Sequence, residues 1–275
     1  MSGTGWYRRS QCRRRQMKVS QAGNSGGVKQ PLLLWSIFLV LAVITNGTIP
    51  FMLGADLRAW AFSKESFFVT SLIYAGIFWV AVLVVVKGWE TVRRSDFLVP
   101  MLMACGGFVL WPFFPFSAAI FWLVLPFLHS RYDLTELGLR SRGWRGDAAV
   151  VALLGLVLLV FSVLRGGLSS FDVAGAATAV VYRTLGNPAF TAENLFYFGF
   201  LTDRLSQKMG KWLTPILIGG MYTLHEMTNP QYWYTGMYFP ATFVAVTLLA
   251  AAYVWRRSMA VVWGADALSR FITNL

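Results

Sequence analysis

Pro188-Ala189-Phe190-Thr191-Ala192-Glu193-Asn194-Leu195-Phe196-Tyr197-Phe198-Gly199-Phe200-Leu201 reads as a membrane-spanning helix with one carboxylate inside it. A carboxylate at bilayer depth costs roughly 2.5–3.5 kcal/mol on insertion scales. Glu193 therefore needs a partner, a water-filled cavity or a proton. His225 and Asp266 stand in comparable positions, in or at the end of later apolar runs. The chain has 2 histidines and 12 acids, and of those acids only Glu193 and Asp266 read as lying well inside apolar segments.

Composition agrees with a lipid solvent. Hydrophobic residues make up 56% of the 275 residues and charged residues 13%, against roughly 25% charged in a soluble domain. The expected fold is an all-α, polytopic transmembrane helix bundle of about eight helices, each near 20 residues or shorter. Cys12 and Cys105 are far apart in sequence, so neither a disulfide nor a sulfur-ligated metal is expected. The net charge of +12 does not point to nucleic acid, because of where it sits. Arg8, Arg9, Arg13, Arg14, Arg15, Lys18 and Lys29 precede the first apolar run, and no acid appears before Asp56. Residues 1–30 read as a basic, disordered cytoplasmic tail able to touch anionic membrane lipids, and 31–275 as the bundle. No cleaved signal peptide is expected, since the first apolar run is long and lacks a small-residue cleavage site.

Apolar runs fall at 31–53, 67–86, 97–128, 148–164, 188–201, 212–224, 237–255 and 259–272. The third is too long for one ordinary span. Pro112 and Pro115 lie near its middle and disrupt helix geometry, so it reads as two short helices joined there. The basic clusters support that split. With the N-terminus inside and a hairpin at 97–128, four clusters all fall on the cytoplasmic side. They are Lys87/Arg93/Arg94, Arg131/Arg140/Arg142/Arg145, Arg204/Lys208/Lys211 and Arg256/Arg257. The opposite face receives Gln231-Tyr232-Trp233-Tyr234, which suits an interfacial belt. No stretch forms a phosphate-cradling glycine loop, and none is polar enough for a separate soluble catalytic domain.

In this topology Glu193, His225 and Asp266 can share the outer half of the membrane, at about 1.5 Å of rise per residue. Several kinds of chemistry remain open for them. Glu193, His225 and Asp266 can hold a divalent cation such as zinc, which lowers the pKa of bound water. Alternatively Glu193 acts directly as a general base on water with His225 assisting. A structural polar cluster and an ion or proton path are the readings without hydrolysis. There is no His-Glu-x-x-His run, and His225-Glu226 is only a fragment of one.

Residues 192–201 resemble the first motif, Glu-Glu-x-x-x-Arg followed by Gly-Phe-Leu, of the CAAX-protease and bacteriocin-processing (CPBP) family of intramembrane proteases. Met221 to His225 is similar to that family's Phe-x-x-x-His motif, with Asn229-Pro230 following. Asp266 to Arg270 aligns with its His-x-x-x-Asn motif, and Glu136-Leu137-Gly138-Leu139-Arg140 with the segment before its core helices. The likeness covers about residues 134–271. It implies an endopeptidase of peptide or lipidated-protein substrates in which Glu193 is the base and His225 its partner. The family's second Glu is Asn194 here, its Arg is Phe198, its Phe is Met221, its last His is Asp266 and its Asn is Arg270. An ionised Asp266 would repel an oxyanion, whereas Arg270 can donate to one or pair with Asp266 four residues away. Losing the acid at Asn194 and the base at Phe198 together avoids leaving one charge buried alone. The departures leave a second reading open, a non-catalytic member serving as an accessory or scaffold subunit beside a membrane protein partner.

Overall fold

The structure is a computed structural model that describes residues 28–140, 143–164, 172–234 and 239–273. The tail at 1–27, including Cys12, lies outside the described residues, and so does Arg142. The chain is an all-helical bundle, with no strand among the described residues. We number its helices α1 Lys29–Met52, α2 Leu57–Ala61, α3 Lys64–Lys87, α4 Trp89–Val92, α5 Ser95–Leu110, α6 Ala118–Tyr132 and α7 Trp144–Leu164. There follow α8 Val173–Val180, α9 Pro188–Asn194, α10 Asp203–Met227, α11 Pro230–Tyr234, α12 Phe239–Arg256 and α13 Met259–Thr273.

The expected count of about eight spanning helices is not what helix length and composition give. Among the described residues, three helices are long and apolar enough to cross a membrane: α1, α3 and α12. Helix α5 and the residues Met259–Ser269 of α13 are apolar but shorter. Helix α9 falls outside that group. It continues through the wider π-helical turns of Leu195–Thr202, and every residue from Thr191 to Thr202 is buried. A helix that is apolar on all sides is then a core element packed against protein rather than a lipid-facing span. Its neighbours carry the outer surface. Leu33, Val40, Leu102, Leu123, Leu153 and Leu156 are exposed on α1, α5, α6 and α7. Exposed apolar surface on this scale suits lipid better than water.

The hairpin expected from Pro112 and Pro115 is present. Helices α5 and α6 pack together and are joined by residues 111–117, where Ser117 Oγ donates to the Gly107 carbonyl at 2.9 Å. Helix α8 was not among the apolar runs read from the sequence. Its N-cap is Asp172, whose side chain accepts from Gly175 N at 2.9 Å.

The basic clusters gather at one end of the bundle and find acids there. Arg131 pairs with Asp96 at 3.1 Å, Arg204 with Glu136 at 3.1 Å and Arg256 with Asp147 at 2.8 Å, while Arg257 pairs with Asp203. Asp147 is buried and also accepts from Ser258 Oγ at 3.0 Å. The other end carries the α1–α2 connection and α11, where the Arg58 guanidinium lies 5.7 Å from the centre of the Tyr234 ring. The charge-based assignment of loops to two opposite ends is thus reproduced by contacts.

Two glycines shape the core around α9. Gly199 lies so close to the Leu137 carbonyl that any Cβ would overlap it. This contact seats the segment 134–140 against the buried helix. Gly210 breaks α10 with φ +78 and ψ +167, so the chain turns back at 208–212 and residues 211–227 run antiparallel to α9. Residues with a side chain rarely adopt that φ.

Candidate functional site

Asn187 and Pro188 start α9. The Asn187 side chain accepts from Phe190 N at 3.1 Å, and Pro188 occupies the first turn, where its missing N–H is no loss. Glu193 follows near the end of this short helix and is 5% exposed. His225 and Glu226 end the antiparallel arm of α10 and are 4% and 2% exposed. Thr228 closes that arm by donating its hydroxyl to the His225 carbonyl at 2.7 Å. Asn229 Oδ1 accepts from Gln231 N at 3.0 Å, which turns the chain into α11.

These elements bring Glu193 and His225 together. Glu193 Oε1 lies 3.1 Å from His225 Nδ1. The approach is close, but it is not aligned as a hydrogen bond. On its other side, His225 Nε2 lies 3.1 Å from the Tyr74 hydroxyl. Which ring nitrogen carries the proton follows from what faces each one. The ring is held from several directions. Phe38 meets it edge-on with centroids 4.5 Å apart, and Tyr197 lies nearly parallel to it at 6.0 Å. Tyr74 begins the π-helical turns Tyr74–Ala81 of α3, and Glu193 precedes those of α9. Such turns recur at functional sites because they re-aim side chains.

Glu226 is the functional candidate that sequence reasoning missed. Its ligand oxygen, one from Glu193 and a ring nitrogen of His225 all lie within 4.8 Å of one another. The apolar run was read as ending at Leu224, and Asn229-Pro230 placed Glu226 beside a loop. Adjacent helical residues also point about 100° apart, so the pattern gave no reason to aim Glu226 at the partner of its neighbour. The His225-Glu226 dyad was the available signal.

Asp266 is not in that group. With Asn194, Phe198, Tyr222 and Ser269 it lines a separate cavity of about 190 Å³ between α9, α10, α12 and α13. Asn194 Nδ2 is buried there without a hydrogen-bond partner. The side chain of Arg270 lies outside the described residues, although the residue is on α13. Asn194, Phe198 and Asp266 therefore line one cavity, separate from Glu193 and His225.

Glu193 borders a cavity of about 120 Å³ with Tyr74, Trp111, Asn229, Gln231 and Tyr232. That volume accommodates several waters. It lies towards the end of the bundle opposite the basic clusters. Asn229, Gln231 and Tyr232 carry groups able to donate hydrogen bonds into it. A carboxylate at the wall of such a cavity, with an imidazole 3.1 Å from it, can activate water, hold a cation or relay a proton. No family model matches the chain, and comparison with curated proteins and with solved structures gives no match.

Proposed function

We propose that this chain is a membrane-embedded hydrolase of the CPBP type that cleaves peptide or lipidated-protein substrates near the membrane surface. The observation that carries the reading is the 3.1 Å approach of Glu193 Oε1 to His225 Nδ1 inside the core. The resemblance pairs its first two motifs in this way. Glu193 and His225 act together on a water molecule in the adjoining cavity, and Asn229 and Gln231 supply donors for the oxyanion. They replace the last-helix donors of the family pattern, since Asp266 borders the other cavity. The bundle as a whole sits in the membrane with about eight helices, the shorter ones included, and a cytoplasmic N-terminus. The basic end then faces the cytosol, and the water cavity opens to the opposite side.

The test is cleavage of a panel of quenched peptides by the purified full chain in detergent. Glu193→Gln and His225→Ala should each lower the rate at least about 100-fold, as removal of acid–base or water-activating groups does. Cleavage that survives both substitutions would overturn the assignment. The competing reading is the accessory subunit, and the displacement of Asp266 from the Glu193 cavity is what favours it. An inert wild type that co-purifies with a stoichiometric membrane partner would support it.

A further inference from the structure

We infer that Glu193, His225 and Glu226 form a binding site for a divalent transition cation, for which zinc is the fitting probe. The cation's use in hydrolysis rests on the function proposed above, whereas its binding does not.

Three features point to a cation. The first is convergence. The three ligand atoms lie within 4.8 Å of one another, and the 3.1 Å separation of Glu193 Oε1 from His225 Nδ1 is near tetrahedral spacing. Bonds of about 2.1 Å put tetrahedral ligands roughly 3.4 Å apart, so only the wider separations need small side-chain rotations. The second is unmet bonding capacity. Glu226 is 2% exposed, and its Oε2 has no hydrogen-bond partner, nor does His225 Nδ1. Both atoms are suited to accept a metal. The third is charge. Two buried carboxylates stand together, and no lysine or arginine lines the cavity bordered by Glu193 or a smaller one bordered by Phe38, Tyr74, His225 and Asn229. A buried anion pair needs a counter-charge or protons.

The surroundings fit a ligand set. Tyr74 fixes the imidazole from Nε2, which leaves Nδ1 facing the carboxylates. Tyr222 and Tyr232 hydrogen-bond the Glu226 carboxylate, which orients it in the same way. Such outer contacts set the tautomer and direction of metal ligands. One imidazole with two carboxylates favours zinc or manganese over magnesium, which prefers an all-oxygen, partly hydrated octahedron. Three protein ligands leave a fourth position for water in the cavity bordered by Asn229 and Tyr232. In that case Glu193 serves as a ligand, and the cation lowers the pKa of the water.

The experiment uses the full chain in detergent, stripped with chelator and titrated with zinc, manganese and magnesium in separate arms. Elemental analysis after desalting and calorimetric titration are the readouts. Wild type should retain one equivalent of zinc and bind magnesium at least 100-fold more weakly. Glu226→Gln and Glu226→Asp should each weaken zinc at least tenfold, while Asp266→Asn keeps the wild-type affinity. A wild type that takes up no stoichiometric zinc or manganese overturns the inference, whatever the variants do. Equal zinc affinity in wild type and either folded Glu226 variant does the same. The two proposals fail separately. Peptide cleavage that persists fully after chelation removes the cation's role in hydrolysis but keeps the hydrolase. Stoichiometric zinc in a protein that cleaves no peptide keeps the site and removes the hydrolase.

Discussion

Replacing Glu226 with glutamine should stabilise the metal-free protein and lessen the stabilisation that zinc confers. The perturbation is nearly isosteric and removes one buried charge. Two unit charges at 4.8 Å, the outer limit of the cluster, repel by about 3.5 kcal/mol at an effective dielectric of 20. Part of that repulsion is relieved in wild type by proton uptake, so the gain in chelator is set at about 1–3 kcal/mol. Zinc at 100 times its dissociation constant adds about 2.7 kcal/mol to the protein that binds it. Wild type should gain that amount, and Glu226→Gln, binding zinc at least tenfold more weakly, at most about 1.4 kcal/mol. Thermal unfolding in detergent, followed by intrinsic tryptophan fluorescence, reads both effects in one series. The melting-temperature advantage of Glu226→Gln in chelator should shrink by at least about 1.3 kcal/mol in zinc. If Glu226→Gln melts below wild type in chelator, and zinc moves neither protein, Glu226 is a hydrogen-bonding group of the core and the charge argument is wrong.

Other substitutions probe the parts that position this site. Tyr74→Phe removes the hydroxyl at 3.1 Å from His225 Nε2 and should weaken zinc about 10-fold without altering the helical circular dichroism. Gly199→Ala places a Cβ against the Leu137 carbonyl, which is backbone and cannot turn away. It should cost about 1–3 kcal/mol in thermal or denaturant unfolding. Asp147→Ala leaves the partly buried Arg256 without its acid and Ser258 without its acceptor. A loss of about 3 kcal/mol by the same assay is expected. For topology, Arg58→Cys and Lys211→Cys in a chain lacking Cys12 and Cys105 should react with a membrane-impermeant thiol reagent from opposite sides of sealed vesicles. Labelling of both from one side would refute the two-ended arrangement.

Much of this fold was legible in the sequence because apolar runs and basic loops obey simple rules. Pro112 and Pro115 announced the hairpin, and the arginines at 131, 204, 256 and 257 announced a shared end. Which helices meet lipid and which meet protein was not legible. Hydropathy cannot separate a helix that meets lipid from one, like residues 191–202, that meets protein on every side. At the site, Glu193 and His225 were identifiable as costly polar groups in apolar surroundings, and the order of motifs paired them. Glu226 escaped because burial at a helix end depends on what α11 and Tyr74 bring across it, not on its own neighbours in sequence. Asp266 was expected with Glu193 on depth and on the order of the motifs. Depth does not fix which face of α13 it occupies, and it borders the second cavity with Asn194 instead.

The central claim is that Glu193 and His225 work as one water-activating unit. It is tested most directly by a double-mutant cycle on kcat/KM for peptide cleavage, using Glu193→Gln, His225→Ala and the pair. Groups that act as a unit are strongly non-additive. The double variant should therefore be no slower than the worse single variant, within about threefold. Losses that multiply, or a single variant that retains wild-type cleavage, would contradict the claim.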